Sequence, residues 1–352
     1  MSKNKLRNRD VQYFLAVILA VSMISLGQTN VRGDGEYAPN SNVKPVDVEV
    51  VKENGSDNHP LTGGNGIKAS VLADGFGHVS GLARDPNTGK IYIADSKASS
   101  IWLLNSGNQL SKYISGPEPV TDATGKQLVS VKAPQGIELD NSGRLVVCDP
   151  GEGAIRRRES RYKWKNLAVS FGDIPFTNPA GIILAPDGNF YFSDSRAETG
   201  IDTDASGSVP AIYRRAKNGR ISRIYDGLTN PSSPAVSEDG SSLYVCNADN
   251  DNPGVYRFSL GEGGKIGDAI PWPAPQGVAS IWTSAPNVIS QAGNKCLAVA
   301  QGNRLTILTE DGVVAGHINF DHPVTSLEFS ADDGVLLAGV SQSVYEIRPV
   351  EP

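Results

Sequence analysis

Apolar and polar positions along this chain fall into a phrase that returns six times. A short apolar run meets a tight turn of Asp, Asn and Gly, and a second apolar run follows, usually closing on a polar residue. The clearest copies run from Gly81-Leu82-Ala83-Arg84 through Asp85-Pro86-Asn87-Thr88-Gly89 to Ile91-Tyr92-Ile93-Ala94-Asp95, and from Gly181-Ile182-Ile183-Leu184 through Pro186-Asp187-Gly188 to Phe190-Tyr191-Phe192-Ser193-Asp194. The others pass through Gly136-Ile137-Glu138-Leu139, Pro234-Ala235-Val236, Val288-Ile289 and Ser326-Leu327-Glu328-Phe329. From Gly81 to Ser326 there are five intervals over 245 residues, a mean of 49. Strand pairs at that period predict a β-propeller.

Each copy is followed by a third apolar run rich in β-branched and aromatic residues, as in Ile101-Trp102-Leu103-Leu104 and Val344-Tyr345-Glu346-Ile347. Such runs read as strands. Most copies add a fourth, for example Ile221-Ser222-Arg223-Ile224-Tyr225. The sixth copy runs out of chain after its third strand, which would leave an open sheet edge. The missing strand is available at the other end, where Ile67 to Leu72 precedes the first copy. The expected fold class is therefore all-β: a six-bladed β-propeller over residues 67–352, its ring closed by an N-terminal strand pairing with the last blade.

The first 66 residues differ in kind. Lys3, Lys5, Arg7 and Arg9 precede an apolar run from Tyr13 to Leu26. That stretch is short for a membrane span and suits a secretory signal over residues 1–27, cut near Gln28; a retained anchor is the competing reading. Residues 28–66 lack an apolar period and read as a flexible leader. The expected location is secreted or periplasmic, with no membrane attachment after cleavage. Losing residues 1–27 moves the formal charge from −6 to −9. An acidic chain without a basic stripe argues against nucleic acid. Cys148, Cys246 and Cys296 show no metal spacing and read as small apolar packers.

The third copy, Asn178-Pro179-Ala180-Gly181 through Asp194, resembles the regucalcin/gluconolactonase family of six-bladed, metal-dependent lactone hydrolases. The resemblance spans residues 67–350 and implies oxygen ligands for a divalent cation just before the glycine that opens each inner strand. In this chain those places hold Ser80, Gln135, Ala180, Ser232, Ala285 and Thr325. None is a carboxylate, so the family's metal set does not carry over. Ser80, Gln135, Ser232 and Thr325 are left as candidate substrate contacts.

Three further features fall on the same face. Asp95, Asp149, Asp194 and Asn247 end the second strands, where a carboxylate accepts backbone N–H bonds and holds a loop; Asp149 and Asp194 are also candidate substrate contacts. Asp202 and Asp204 in one long loop, with Asp249 and Asp251 in the next, offer oxygens for Ca²⁺ or for a sugar. His78 and His322, with Asp321 to orient one of them, form a candidate dyad for water attack on an ester or lactone. Arg156-Arg157-Arg158 reads as a strand with its solvated flank. Two functions remain open: a divergent lactone or ester hydrolase acting at the channel mouth on a small molecule, or a non-catalytic propeller binding a carbohydrate or a partner protein.

Overall fold

The second strand of every blade is the one the sequence writes most plainly. Ile91–Asp95, Leu145–Asp149, Phe190–Asp194, Ser242–Asn247, Cys296–Gln301 and Val335–Val340 are buried at every position. A strand covered on both faces needs a continuous apolar run rather than alternation. These six strands are therefore the middles of stacked sheets. The computed structural model describes residues 38–41, 43–46, 49–52, 67–195, 209–249, 251–261, 265–272, 288–291, 296–330 and 334–349.

Six antiparallel sheets form a six-bladed propeller. Blade one spans residues 79–114, blade two 137–168, blade three 179–225 and blade four 231–272, each with four strands in sequence order. The inner strands of blades five and six are Val288–Gln291 and Val324–Ser330. Ile67–Ala73 pairs antiparallel with Ser343–Pro349, matching Ala73 to Val344 and Ala69 to Ile347. The ring thus closes with a strand from the N-terminal side of the propeller, as the unclosed sixth copy required.

Two short strands lie inside the stretch expected to be leader. Lys44–Val46 pairs with Ile67–Ala73 on the outside of blade six, and Glu49–Lys52 pairs with Val314–Asn319 on the outside of blade five. They carry no apolar alternation because an added outermost strand is held through its backbone and need bury no face. Residues 1–37, which include the expected signal segment, lie outside the described residues. Among the described residues no helix is long and apolar enough to cross a membrane.

The core is divided, with one apolar cluster at each seam between blades. Blades six and one share Phe76, Val79, Ile93, Trp102 and Leu337. Blades two and three share Cys148, Phe176, Phe192 and Tyr213. Blades four and five share Tyr244, Cys246, Trp272 and Leu297. All three cysteines are free and buried, each in a seam cluster. Burial pushes their thiols up; for Cys296 the value is about 11.

Candidate channel site

The start of each inner strand decides what surrounds the axis. In blades one, three, four and six the pairing slips at this point, between Val79 and Gly81, Pro179 and Ile182, Pro231 and Pro234, and Val324 and Ser326. A bulge leaves a carbonyl of the partner strand without its ladder bond. Hydroxyls take up these carbonyls. Ser80 Oγ donates to Ala94 O at 3.3 Å, Ser232 Oγ to Cys246 O at 3.4 Å and Thr325 Oγ1 to Gly339 O at 3.2 Å. Ser80 and Thr325 share that single hydrogen with a closer carbonyl of the next blade, Pro134 O at 2.6 Å and Val79 O at 2.5 Å. These side chains line the channel, but their hydroxyls latch neighbouring strands.

The glycine that follows is a close-approach residue. A Cβ on Gly136 would lie 2.7 Å from Ala180 O and 3.1 Å from the Gly181 Cα. A Cβ on Gly181 would lie 2.8 Å from the Ser233 Cα. Inner strands of adjacent blades meet backbone to backbone here, which only glycine permits.

The polar residue ending each second strand fastens the loop that enters the inner strand of its own blade. Asp95 accepts from Gly77 N at 2.8 Å and His78 N at 2.9 Å. Asp149 accepts from Lys132 N at 3.0 Å and from Arg156 Nη1 at 2.6 Å. Asp194 accepts from Asn178 N at 2.7 Å, and Asn247 from Asn230 N at 2.9 Å. All four are fully or almost fully buried, and none lines the channel. Asp149 and Asp194, considered as substrate contacts from sequence, are corrected to loop clamps. Their carboxylates accept backbone N–H groups that a buried turn must satisfy. Burial pushes the Asp149 carboxyl above its usual range, while the Arg156 guanidinium pulls it the other way.

The channel along the axis has a volume of about 970 Å³. Among the described residues its mouth is lined by His78, Ser80, Gln135, Asn178, Asn230 and Ser232, none of them acidic. His322 and Asp321 are exposed and are not among its lining residues. Of the expected dyad, His78 alone lines the channel among the described residues. Burial, then the Asp321 charge, raises the Tyr345 phenol. Asp202 and Asp204 lie outside the described residues. Asp249 accepts from Asp251 N at 2.8 Å, a turn closed within its own loop. No group of three or more His, Cys, Asp or Glu side chains that could hold a metal occurs among the described residues.

A divalent cation at the mouth needs several oxygens free to converge on it. Ser80, Ser232 and Thr325 offer only neutral hydroxyls and Gln135 a neutral amide, Ala180 has no oxygen to offer, and Ala285 lies outside the described residues. Without a carboxylate among them, these residues do not fit such an ion. Arg156, Arg157 and Arg158 lie in the strand Ala154–Ser160, and all are engaged: with Asp149, with Glu159 at 2.7 Å, and with the Tyr113 hydroxyl.

The charged groups of the channel lie deeper. Glu138 and Glu328 line its wall three residues beyond Gln135 and Thr325, about 10 Å down the inner strands. Strand pairing places them at one repeat position: Ile137 pairs with Val147 and Leu327 with Ala338, each two residues before the end of the second strand. Glu138 Oε1 accepts from Leu139 N at 2.8 Å and Oε2 from Leu184 N at 3.2 Å. Glu328 Oε1 accepts from Arg84 N at 3.4 Å. Burial pushes Glu138 up to about 7. Burial, then repulsion from Glu138, pushes Glu328 well above the usual carboxylate range. Neither was expected from sequence, because both stand beyond the opening glycine rather than before it. The available signal was Ile-Glu-Leu and Leu-Glu-Phe at one place in two copies.

Fold and site together describe a gluconolactonase-type propeller with altered axial chemistry. The model of the SMP-30/Gluconolactonase/LRE-like region matches residues 158–337, and the chain belongs to that family. A gluconolactonase of Zymomonas mobilis is 26% identical over 133 residues, which is 37% of this chain and 37% of that protein. The match thus spans just over a third of that relative's length. Among solved structures, a gluconolactonase from Xanthomonas campestris superposes with TM-score 0.72 at 17% identity, over 88% of this chain and 98% of its own. The calcium-binding regucalcin of Agrobacterium tumefaciens gives 0.58 at 12% identity, over 78% and 92%. At such identities these structures speak for the fold alone.

Proposed function

We propose that this chain is a divergent member of its family that binds a small, neutral, hydroxyl-rich molecule in the channel mouth without a resident divalent cation. The observation that carries this reading is the neutral mouth. Where the family's ligands are expected, the chain has three hydroxyls bonded to neighbouring strands, two alanines and the Gln135 amide. The amides of Gln135, Asn178 and Asn230 and the His78 imidazole around a cavity are groups that recognise a sugar or its lactone. Stripping the metal from the family's frame leaves the binding geometry and removes the electrophile, so turnover by the family's usual route is not assigned. Export belongs to the same proposal, resting on Lys3, Lys5, Arg7 and Arg9 ahead of the apolar run to Leu26.

A hydrolase remains the second reading. It is favoured by family membership and by His78 at the mouth, where an imidazole can serve as a general base. Elemental analysis of the purified protein, combined with calorimetric titration of sorbitol and gluconolactone with and without chelator, separates the two. Binding without turnover, in metal-free protein and indifferent to chelator, is expected. Stoichiometric metal with chelator-sensitive lactone opening would overturn the proposal. For export, sequencing the N-terminus of protein recovered outside the cytoplasm should begin at Gln28; a chain still beginning at Met1 or Ser2 would refute cleavage.

A further inference from the structure

Two carboxyl groups on apolar strands, facing one channel, demand an explanation that the mouth does not supply. Glu138 and Glu328 extend from blades two and six, which flank blade one. At the same repeat position blade one has Ala83 and blade three has Ile183, so no bulky polar group stands beside them. Each carboxylate is met by backbone N–H groups of the next blade, Leu184 and Arg84, and neither forms an ion pair among the described residues. Half-buried acids without an ion-pair partner are costly. Above them, Ser326 lines the same channel, is 4% exposed, and its hydroxyl has no partner among the described residues. It lies two residues before Glu328 on a regular stretch of strand, hence on the same sheet face.

We propose that Glu138 and Glu328 form the floor of the binding channel and receive the ammonium group of a polyhydroxylated amine, an amino sugar or amino polyol. The hydroxyl-bearing part of this ligand rests on the mouth reading given above; the amine is assigned by the floor. An ammonium group donates three hydrogen bonds and accepts none. Two carboxylates and the Ser326 hydroxyl oxygen supply acceptors of the right number, and one positive charge relieves the repulsion between the acids. A divalent cation fits less well, since two acids and one hydroxyl fall short of its usual six or more oxygens.

Other charges around the pair are few. Arg84 lies on the inner strand of blade one, Glu238 lines the far end of the channel, and His78 lies at the mouth. Arg84 lowers Glu328 only weakly, behind burial and the Glu138 charge. Blade three contributes Ile183 and Leu184 to the wall and no titratable group there. Blade five contributes Ser290 among its described residues. An amine therefore competes with protons for the two acids, and its binding strengthens as pH rises through the range where they ionise.

The test uses glucamine, whose amine stays protonated through neutral pH, against sorbitol, its uncharged counterpart. Calorimetric titration of the full chain at pH 5.5 and pH 8 is expected to show glucamine binding at least about tenfold tighter than sorbitol at pH 8. That ratio should shrink at pH 5.5 and collapse to near one in Glu138→Gln/Glu328→Gln. Equal affinities in the unmodified protein, no binding of either probe, or a preference that survives the double substitution would each overturn the proposal. Glucamine binding without detectable sorbitol binding would sink the neutral-mouth reading and leave this one standing. Calcium binding to the unmodified protein that excludes glucamine would replace the amine with a metal. If the double variant does not fold, Glu328→Gln alone serves, and it should lose most of the preference.

Discussion

Replacing Glu138 by glutamine removes a charge from the middle of the channel and leaves the side-chain shape almost unchanged. In the folded chain burial raises this carboxyl from 4.5 to about 7. Every tenfold weakening of the acid corresponds to about 1.36 kcal/mol, so the ionised form costs the native state about 3 kcal/mol as an upper bound. The folded value lies above the unfolded one. The native state therefore holds an extra proton between about pH 4.5 and 7, and this group's contribution to stability falls as pH rises through that window. Glutamine carries no charge at any pH and escapes the penalty. It gives back one hydrogen bond, because the carboxylate accepts from both Leu139 N and Leu184 N while an amide has one oxygen. That loss is about 1 kcal/mol. The variant should match the unmodified protein near pH 5 and exceed it by about 2 kcal/mol at pH 8. For a domain of this size that is roughly 4 °C in melting temperature. Glu328 shifts the result in the same direction, since it loses the repulsion of a neighbouring charge. Thermal melts followed by tryptophan fluorescence at pH 5, 6, 7 and 8 provide the measurement. A difference that is constant across pH, or a destabilisation that grows with pH, would refute the desolvated-carboxyl argument.

Further outcomes follow from the ring geometry. Gly136→Ala should unfold the chain or cost several kcal/mol, because its Cβ would meet Ala180 O at 2.7 Å; Gly143→Ala, with open space but φ of +71°, should cost only about 1–2 kcal/mol in the same melts. Asp149→Asn leaves Arg156 without its buried carboxylate and should cost about 3 kcal/mol in denaturant titration. It should leave channel binding unchanged, and a selective loss of binding at constant stability would restore Asp149 as a ligand contact. Cys148, Cys246 and Cys296 should resist a thiol reagent in the native protein and react together on unfolding; rapid labelling of any one would contradict its seam burial.

Much of the fold was legible because a propeller repeats its instructions. The second strands announce themselves by continuous apolar runs, and Asp85, Asp140 and Asp187 mark the turns that follow the inner strands. The closing strand at Ile67 follows from an unfinished sixth copy, which needs one more partner than its own segment supplies. The outer strands Lys44–Val46 and Glu49–Lys52 were not legible, since backbone pairing at a sheet edge leaves no side-chain pattern. The site was legible only in the negative. Acids are missing where the family would place them. His78 lines the channel and His322 does not, which repeat register alone could not tell.

The sequence by itself determined six blades, the strand that closes them and the seam chemistry, because each of these depends on local periodicity summed over copies. Tertiary structure alone decided which polar residues serve the scaffold and which face the channel. Ser80, Thr325, Asp149 and Asp194 read as candidates for chemistry; bulged strands and buried N–H groups claim them for structure. Glu138 and Glu328 read as ordinary strand residues; closing the ring brings them to one channel and takes away most of their water. A carboxylate's role depends on what surrounds it, and those surroundings come from blades far apart in the chain.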